Sequence, residues 1–423
     1  MRERGKKAVR PGKWTVWKIV VGAVWTLAFS DTVLAEPGPD FSQPVVSSSQ
    51  PYEEEQPGAS FPESQKEDPA PLDFSQFNLD SIDEYLGQNQ PKGIELSFTS
   101  LAASIARGQF GQAAEEIGQA VRKSLFSQVE AGGRLLGQVV LLGIVGALFS
   151  GFSGIFSSGQ ISETGFFVTY LLLFTCLAAG FFQSIQIASG VLEHLMEFMK
   201  ALLPSFFLAV AFAGAGMASG ALYETTLGMI AIFQWLCLTA GLPLIKVYAL
   251  LVLAGKITRE DSLSKLTELV SQVIRWGLKT MAGLLLGFQL IQGMVLPCVD
   301  AVGKGGLFHL IEAVPGIGAG ARTVTQAVLG AGVLIKNSLG AAAVVILAAI
   351  GAVPLIQLGA LALLYHGAAA LLEPICDKRV VACIHGISTA HQLLIQLVWT
   401  ALVLFAVTLA ILCAFTNVTY YGG

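Results

Sequence analysis

Two long stretches of this chain contain no Asp, Glu, Lys or Arg: residues 338–372 and residues 380–423. Uncharged apolar segments longer than about 18 residues are typical of transmembrane helices, because about 20 helical residues cross the hydrocarbon layer of a bilayer. Charged residues make up only 13% of the chain, about half the share found in ordinary globular domains. The sequence therefore predicts an all-α, polytopic integral membrane protein.

Further apolar runs precede these two stretches. Between two of them, residues 257–279 combine one apolar stripe with several charged positions, which predicts an amphipathic helix at the membrane interface rather than a span. We expect a multi-span membrane domain over residues 134–416, followed by a short tail, 417–423. The apolar runs cover residues 135–162, 165–192, 201–223, 225–245, 281–299, 338–372 and 392–415.

The N-terminal segment has the pattern of an export signal. Seven Lys and Arg residues within positions 1–18 are followed by an apolar run, 19–29, and by Val33-Leu34-Ala35. This order is typical of a cleaved secretory signal peptide spanning residues 1–35, with an uncleaved membrane anchor as the alternative. In either case, we expect the segment that follows to be exported.

The exported segment divides into two parts. Residues 36–72 hold eight of the sixteen prolines and many acidic residues, so we expect a disordered linker that cannot bury enough apolar surface to fold. In residues 73–133, apolar residues such as Leu101 and Ile105 recur at four-residue steps, which predicts amphipathic helices on the membrane or against a partner.

The distribution of basic residues limits the number of crossings. If all seven apolar runs crossed, the basic loop 256–279 and Lys378-Arg379 would lie on the exported side, against the positive-inside rule. The runs 201–223 and 225–245 are joined by almost no loop, and the second is interrupted at Gly241-Leu242-Pro243. Treating this pair as one crossing plus a re-entrant or half helix predicts about six crossings, with both ends of the mature chain exported.

No motif in the chain predicts catalysis, a cofactor or a metal. Gly316, Gly318 and Ala321 match the G-x-G-x-x-A spacing of a dinucleotide loop, but the acidic residue required about 20 residues later is missing. Cys376, Cys383 and His385 do not have a usual zinc spacing. We therefore expect no enzyme activity, no cofactor, no metal site and no nucleic-acid partner.

Three charges interrupt apolar surroundings and are candidate functional positions: Lys246, Arg322 and Lys336. Ionisable groups at membrane depth are costly, and they usually face protein or a water-filled cavity. For Lys246, the alternative is a side chain that extends to the membrane interface. Gly216 and Gly220 form a G-x-x-x-G pair, which predicts close helix packing.

One segment resembles a known family. Pro315 and Gly318, then Val328-Leu329-Gly330, then Leu334-Ile335-Lys336-Asn337 and Gly340, resemble the P-x-x-G, VLG and IKN-x-x-G pattern of the stage III sporulation protein AE family. Asp300, Lys304 and the segment 373–379 also look like family positions, and the resemblance extends over residues 75–416. The chain departs from the family at residues 322–326, where members tend to carry acidic residues.

The resemblance implies a role in a complex rather than a reaction. It implies an integral component, in the mother-cell (outer forespore) membrane, of a sporulation channel or secretion-like apparatus that supports forespore development. The implied partners are a cytoplasmic ATPase and ring-forming proteins between the two membranes. The alternatives are an autonomous secondary transporter or permease, and a non-conducting scaffold. We expect a gate, cavity or subunit contact at Lys246, Asp300, Lys304, Pro315, Gly318, Arg322, Lys336 and Asn337.

Overall fold

The computed structural model describes residues 77, 79–89, 97–107, 137–148, 159–214, 216–255, 263–312 and 318–415, with five isolated positions between 115 and 133. Side chains at 159–163, 166, 216–219, 295–312 and 318–328 are not described. The predicted signal peptide 1–35, the linker 36–72, most of 73–133, Pro315 and the tail 417–423 lie outside the described residues.

The described residues form helices and no strand, as the sequence predicts. Two short helices precede a short apolar helix and a series of much longer ones. The helices are α1 Asp80–Asn89, α2 Phe98–Ala106, α3 Gly137–Leu148, α4 Gly159–Phe212, α5 Gly216–Leu236, a π-helix Cys237–Gly241, α6 Leu242–Gly255, α7 Ser264–Glu312, α8 Gly318–Leu372 and α9 Lys378–Phe415.

The predicted run 201–223 is not one element. Its first half, to Phe212, continues α4 past Pro204, and its second half begins α5. The chain reverses between them at Ala213-Gly214, where Gly214 has φ 98°, a left-handed conformation that glycine adopts without steric cost. Run 201–223 therefore forms the tip of a helical hairpin.

The predicted interruption at Gly241-Leu242-Pro243 is not a break either. The helix widens into a π-helix at Cys237–Gly241 and continues directly as α6, with the N–H of Leu242 donating to the carbonyl of Cys237. Pro243 lacks an N–H and cannot satisfy the carbonyl four residues earlier, and a π-bulge is a common local adjustment of such a helix. The expected re-entrant or half helix is thus replaced by one continuous helical path from Gly216 to Gly255.

The long helices run alternately up and down between two ends of a bundle. We call one the basic end: there the Tyr170 hydroxyl donates to the Leu253 carbonyl, and the Cys376 thiol donates to the Gly143 carbonyl at 3.2 Å. We call the other the hairpin end, since it holds the Ala213-Gly214 turn. Gly332 approaches that turn so closely that a Cβ there would lie 2.9 Å from the Phe212 carbonyl oxygen.

Within the described residues, four helical stretches are long and apolar enough to cross a membrane, by length and composition. This confirms an α-helical membrane protein, whereas the count of six crossings stays a prediction. The predicted run 281–299 lies on α7, whose side chains are described only as far as Met294. The four stretches are Phe167–Phe212, Gly220–Gly255, Leu329–Leu372 and Lys378–Ala414.

The two short N-terminal helices pack onto the bundle near its hairpin end. Asp83 accepts hydrogen bonds from the Phe98 backbone N–H at 2.5 Å and the Thr99 hydroxyl at 2.6 Å, so a side chain of α1 caps the start of α2. The Tyr85 hydroxyl donates to the His194 carbonyl of α4 at 2.8 Å. Burial, followed by the charge of Glu197, raises the pKa of Tyr85, so its hydroxyl stays protonated and able to donate.

Candidate functional site

The predicted site residues fall into two groups. Lys246 lies on α6, nine residues before the helix ends at Gly255, and it is half-buried toward the basic end. Lys336 and Asn337 lie on α8, a few residues beyond Gly332 at the hairpin end. Asp300 and Lys304 are on the later part of α7, and Gly318 and Arg322 are on the first two turns of α8.

The structure does not bring Lys246 to the other predicted residues. α7 starts beside Gly255 at the basic end, and its Gln292 reaches Thr225 near the start of α5. The later part of α7 therefore runs at the hairpin end, as does the start of α8. Lys246 is therefore separate from the end of α7 and from the start of α8.

Lys336 is fully buried and binds the end of another helix. Its relative exposure is 0%, and its Nζ donates to the backbone carbonyl of Cys413 at 3.3 Å. Cys413 lies in the last turn of α9, whose carbonyls have no partner within the helix. A cation is favoured there because the carbonyls give a helix C-terminus a partial negative charge. The buried charge thus joins α8 to the end of α9.

Asn337 offers an unused acceptor next to this contact. Its side-chain oxygen is buried and has no hydrogen-bond partner among the residues that the structure describes. Buried amide oxygens are nearly always satisfied. A donor from another subunit, or from the side chains of 295–328, would complete this position. Asn337 is therefore consistent with the predicted subunit contact, which stays a prediction.

The predicted glycine pair has open space on one side. A Cβ at Gly220 would meet nothing within 4 Å among the described atoms. Gly220 therefore makes no close helix contact within the described part of the chain, and the surroundings of Gly216 are not described. Helix packing through this pair stays a prediction.

The cysteines near the α8–α9 turn do not form a metal centre. The thiol of Cys376 donates to Gly143, Cys383 is buried 3.7 Å from the Tyr170 hydroxyl, and exposed His385 lies beside His366 with ring centroids 5.3 Å apart. Burial, followed by the charge of Asp377, raises the pKa of the Cys376 thiol, which lowers its reactivity. Across the described residues, no three His, Cys, Asp or Glu side chains could share a metal ion.

A second buried polar cluster was not predicted from the sequence. His391 of α9 has 0% exposure, and its Nε2 lies 2.8 Å from the Ser184 hydroxyl of α4. Its Nδ1 lies 2.9 Å from the Ile387 carbonyl, and the ring of Tyr365 of α8 lies 5.0 Å from the imidazole. Three long helices therefore meet at one histidine.

This cluster had only a weak signal in the sequence. His391 is one of two histidines in the uncharged stretch 380–423, and a buried histidine hydrogen-bonded within a core gives the same pattern. Ser184 and Tyr365 come from apolar runs that lie far away along the chain. Only the packing of α4, α8 and α9 identifies the three residues as one group.

Helices α2 to α9 and both buried clusters lie within one region of family similarity. A family model described as Stage III sporulation protein AE matches residues 96–416. The chain belongs to this family. The matched residues include α2 to α9, both buried polar clusters and the segment 300–340. Membership confirms the resemblance found in the sequence and a role in sporulation.

Comparison with individual proteins agrees with this assignment. The chain is 24% identical over 296 residues to a protein from Bacillus subtilis (strain 168), named Stage III sporulation protein AE; the match covers 70% of this chain and 74% of that protein. No solved structure matches the chain.

Proposed function

We propose that this protein is an integral membrane component of a channel or secretion-like complex that links the mother cell and the forespore. Family membership supports the sporulation role, and the four long apolar stretches support an integral membrane location. The strongest structural support is the uneven distribution of charge between the two ends of the bundle, because it suggests an orientation in the membrane. The proposed role is non-catalytic and supports forespore development.

The charge distribution suggests an orientation. Lys265 and the pair Lys378-Arg379 belong to the first turns of α7 and α9, at the basic end, and Arg275 follows in the first half of α7. Because cytoplasmic segments of membrane proteins are enriched in Lys and Arg, we assign the basic end to the mother-cell cytoplasm. The hairpin end, with α1 and α2, then faces the space between the two membranes, in agreement with an exported N-terminus.

This orientation gives six crossings by a different assignment from that predicted by the apolar runs. One crossing precedes α4, and the others are α4, the continuous α5–α6 path, α7, α8 and α9. Both ends of the mature chain are exported in this arrangement. No re-entrant helix is needed, because the turn at Ala213-Gly214 makes residues 201–223 a hairpin tip.

The filled interior suggests where transport would take place. Large side chains such as Phe198, Phe206, Phe233 and Phe405 are fully buried in one continuous apolar core. A conduit through that core would require replacing close-packed side chains by water, which is costly. We therefore infer that the conduit lies between subunits of the complex, with an ATPase at the basic end and ring-forming proteins at the hairpin end.

Cysteine labelling tests the orientation. Ser100 of α2 and Lys265 of α7 are exposed at opposite ends of the bundle. When each is changed to cysteine and the protein is produced in vegetative cells, we expect a membrane-impermeant maleimide to label Ser100→Cys in intact protoplasts. Lys265→Cys should be labelled only after permeabilisation, with the unsubstituted protein as the background. The reverse pattern would contradict the orientation.

Substitutions that remove a charge distinguish a role in transport from that of a non-conducting scaffold. We expect Lys246→Gln and Arg322→Gln to block forespore development while the complex still copurifies intact, because these charges would act on the transported species. Normal development with both variants would favour the non-conducting scaffold. Uptake of substrate by the purified protein alone in liposomes would instead favour an autonomous transporter.

A further inference from the structure

The buried histidine His391 has two hydrogen-bond partners, the Ile387 carbonyl and the Ser184 hydroxyl. The Ile387 carbonyl can only accept, so Nδ1 carries a proton and donates to it at 2.9 Å. The Nε2 atom lies 2.8 Å from the Ser184 oxygen, and the same hydroxyl lies 3.1 Å from the Gly180 carbonyl. Because Ser184 has a single proton, it donates either to Nε2 or to Gly180.

These contacts give both ring nitrogens of His391 a hydrogen-bond partner in two protonation states. When His391 is neutral, Ser184 donates to the lone pair of Nε2. When His391 takes up a proton, Nε2–H donates to the Ser184 oxygen, and the hydroxyl turns to donate to Gly180. All polar groups are then paired in the charged state as well. Only hydrogen positions need to change between the two states.

Two aromatic rings pack against the imidazole, and the tilted ring of Tyr365 suits a charged one. The centroid of Tyr365 lies 5.0 Å from that of His391 with an interplanar angle of 37°, and Phe181 lies 5.5 Å away edge-on at 78°. Cations within about 6 Å of an aromatic ring are attracted by its negative face. A Cβ at Gly180 would lie 2.6 Å from the Tyr365 hydroxyl oxygen, so this glycine lets Tyr365 approach.

The helices that carry His391, Ser184 and Tyr365 bring no fixed charge to this site. No Asp, Glu, Lys or Arg occurs in residues 164–192 of α4, 337–372 of α8 or 380–415 of α9. Helix α6 also packs against α9, with Val252 beside Gly386, and it carries Lys246 and Tyr248. The other titratable groups facing it from α4, α8 and α9 are Tyr365 and, beyond Tyr365, Cys176. A proton bound at Nε2 would therefore be neutralised by no fixed carboxylate, and the ring would gain or lose its charge with the pH at the site.

We propose that His391, Ser184 and Tyr365 form a proton-binding site in the interior of the membrane bundle. One proton from hydronium binds to Nε2 of His391: an O–H bond of hydronium breaks, an N–H bond forms, and a water molecule is left. The Ser184 oxygen accepts a hydrogen bond from the new N–H, and the Ser184 hydroxyl donates to the Gly180 carbonyl instead of to Nε2. The site thus gives α4, α8 and α9 a shared ligand whose occupancy follows pH, which goes beyond membership of a transport complex.

Histidine ¹⁵N magnetic resonance of the full-length protein in liposomes tests the site. The His391 signals are identified by their loss in His391→Gln, whose folding is checked by thermal unfolding in detergent. We expect a neutral ring protonated at Nδ1 at pH 8 and a ring protonated at both nitrogens by pH 3. A ring that stays neutral over this range, or one that carries its single proton on Nε2 at pH 8, would overturn the proposal.

A pair of variants separates proton binding from a purely structural role. We expect Ser184→Ala to lower the proton affinity of His391 about tenfold, moving its titration about one pH unit lower, because the charged ring loses its hydrogen-bond acceptor. The matched control is His385→Gln, an exposed position on the same helix, which should leave the His391 titration unchanged. An unchanged titration in Ser184→Ala would contradict the assigned role of Ser184.

Discussion

Lys336 and His391 are both fully buried in the bundle, but the protein stabilises them in different ways. Lys336 reaches the end of α9, where terminal carbonyls have no partner within the helix. His391 lies within α9, where backbone groups are already paired, and depends on the hydroxyl of Ser184 in a neighbouring helix. The amino group of Lys336 is therefore placed against a helix terminus, whereas the imidazole of His391 is placed between helices.

Reversing the charge at Lys336 should have the largest effect. In Lys336→Glu, a buried carboxylate would face the carbonyls of the last turn of α9, which we expect to cost about 3–5 kcal/mol in the free energy of unfolding. Lys336→Met keeps the length of the side chain and should lose about 1 kcal/mol, mainly one hydrogen bond. Unfolding by SDS in mixed micelles measures both.

The control for this pair is an exposed lysine. Lys265 has 92% side-chain exposure, and its ion pair with Glu268 is a surface contact of 3.4 Å, so Lys265→Glu should leave the unfolding transition nearly unchanged. Equal losses in Lys336→Glu and Lys336→Met would show that the charge of Lys336 does not stabilise the end of α9. The contrast with His391 would then disappear.

Two glycines test how tightly each site is packed. A Cβ at Gly386, next to Ile387, would lie 2.2 Å from a methyl carbon of Val252, and a Cβ at Gly340 would lie 2.3 Å from the Cys413 sulfur. Val252 is β-branched and stiff, so Gly386→Ala should cost about 1–3 kcal/mol in thermal or SDS unfolding. Gly340→Ala should cost less, because the Cys413 side chain can turn away.

Gly359 provides the matched control on α8. A Cβ there would meet nothing within 4 Å, so Gly359→Ala should be neutral or stabilising by up to about 1 kcal/mol, since alanine is the better helix former. A loss for Gly386→Ala no greater than for Gly359→Ala would mean that α6 and α9 are less closely packed around His391 than described.

The smallest expected effect concerns two serine hydroxyls. One donates a hydrogen bond to a neighbouring helix, and the other donates within its own helix. The Ser388 hydroxyl donates to the Ala362 carbonyl of α8 at 2.8 Å, whereas Ser338 donates to the Leu334 carbonyl of its own helix at 2.9 Å. We expect Ser388→Ala to cost about 0.5–1 kcal/mol in unfolding and Ser338→Ala close to nothing. A larger loss in Ser338→Ala would reverse this order.

Much of the architecture could be predicted from uncharged runs, because burial in lipid requires long apolar helices. The helices around residues 338–372 and 392–415 were predicted in this way. The run 201–223 was misread as one element, because an apolar sequence does not reveal where the chain reverses. Gly214 is one of many glycines in the chain, and only its positive φ distinguishes it.

The candidate sites were predictable only in part. The charge of Lys336 was recognised because charges in apolar surroundings are rare, but its partner is a backbone carbonyl, which every residue carries. Pro243 correctly indicated a disturbed helix, but the wider π-turn kept the helix continuous. Ser184 and Tyr365 are ordinary residues in their own helices, and they become a site only through their contact with His391.

The long helices extend the protein beyond the membrane surface. The apolar stretch of α4 from Phe167 to Phe212 has 46 residues, which at 1.5 Å per residue extend about 69 Å. A hydrocarbon layer about 30 Å thick takes up only about 40 Å of helix even at the steepest usual tilt. Roughly 30 Å of this rod therefore stands outside the lipid, as a rigid column to which a partner could attach at a distance from the membrane surface.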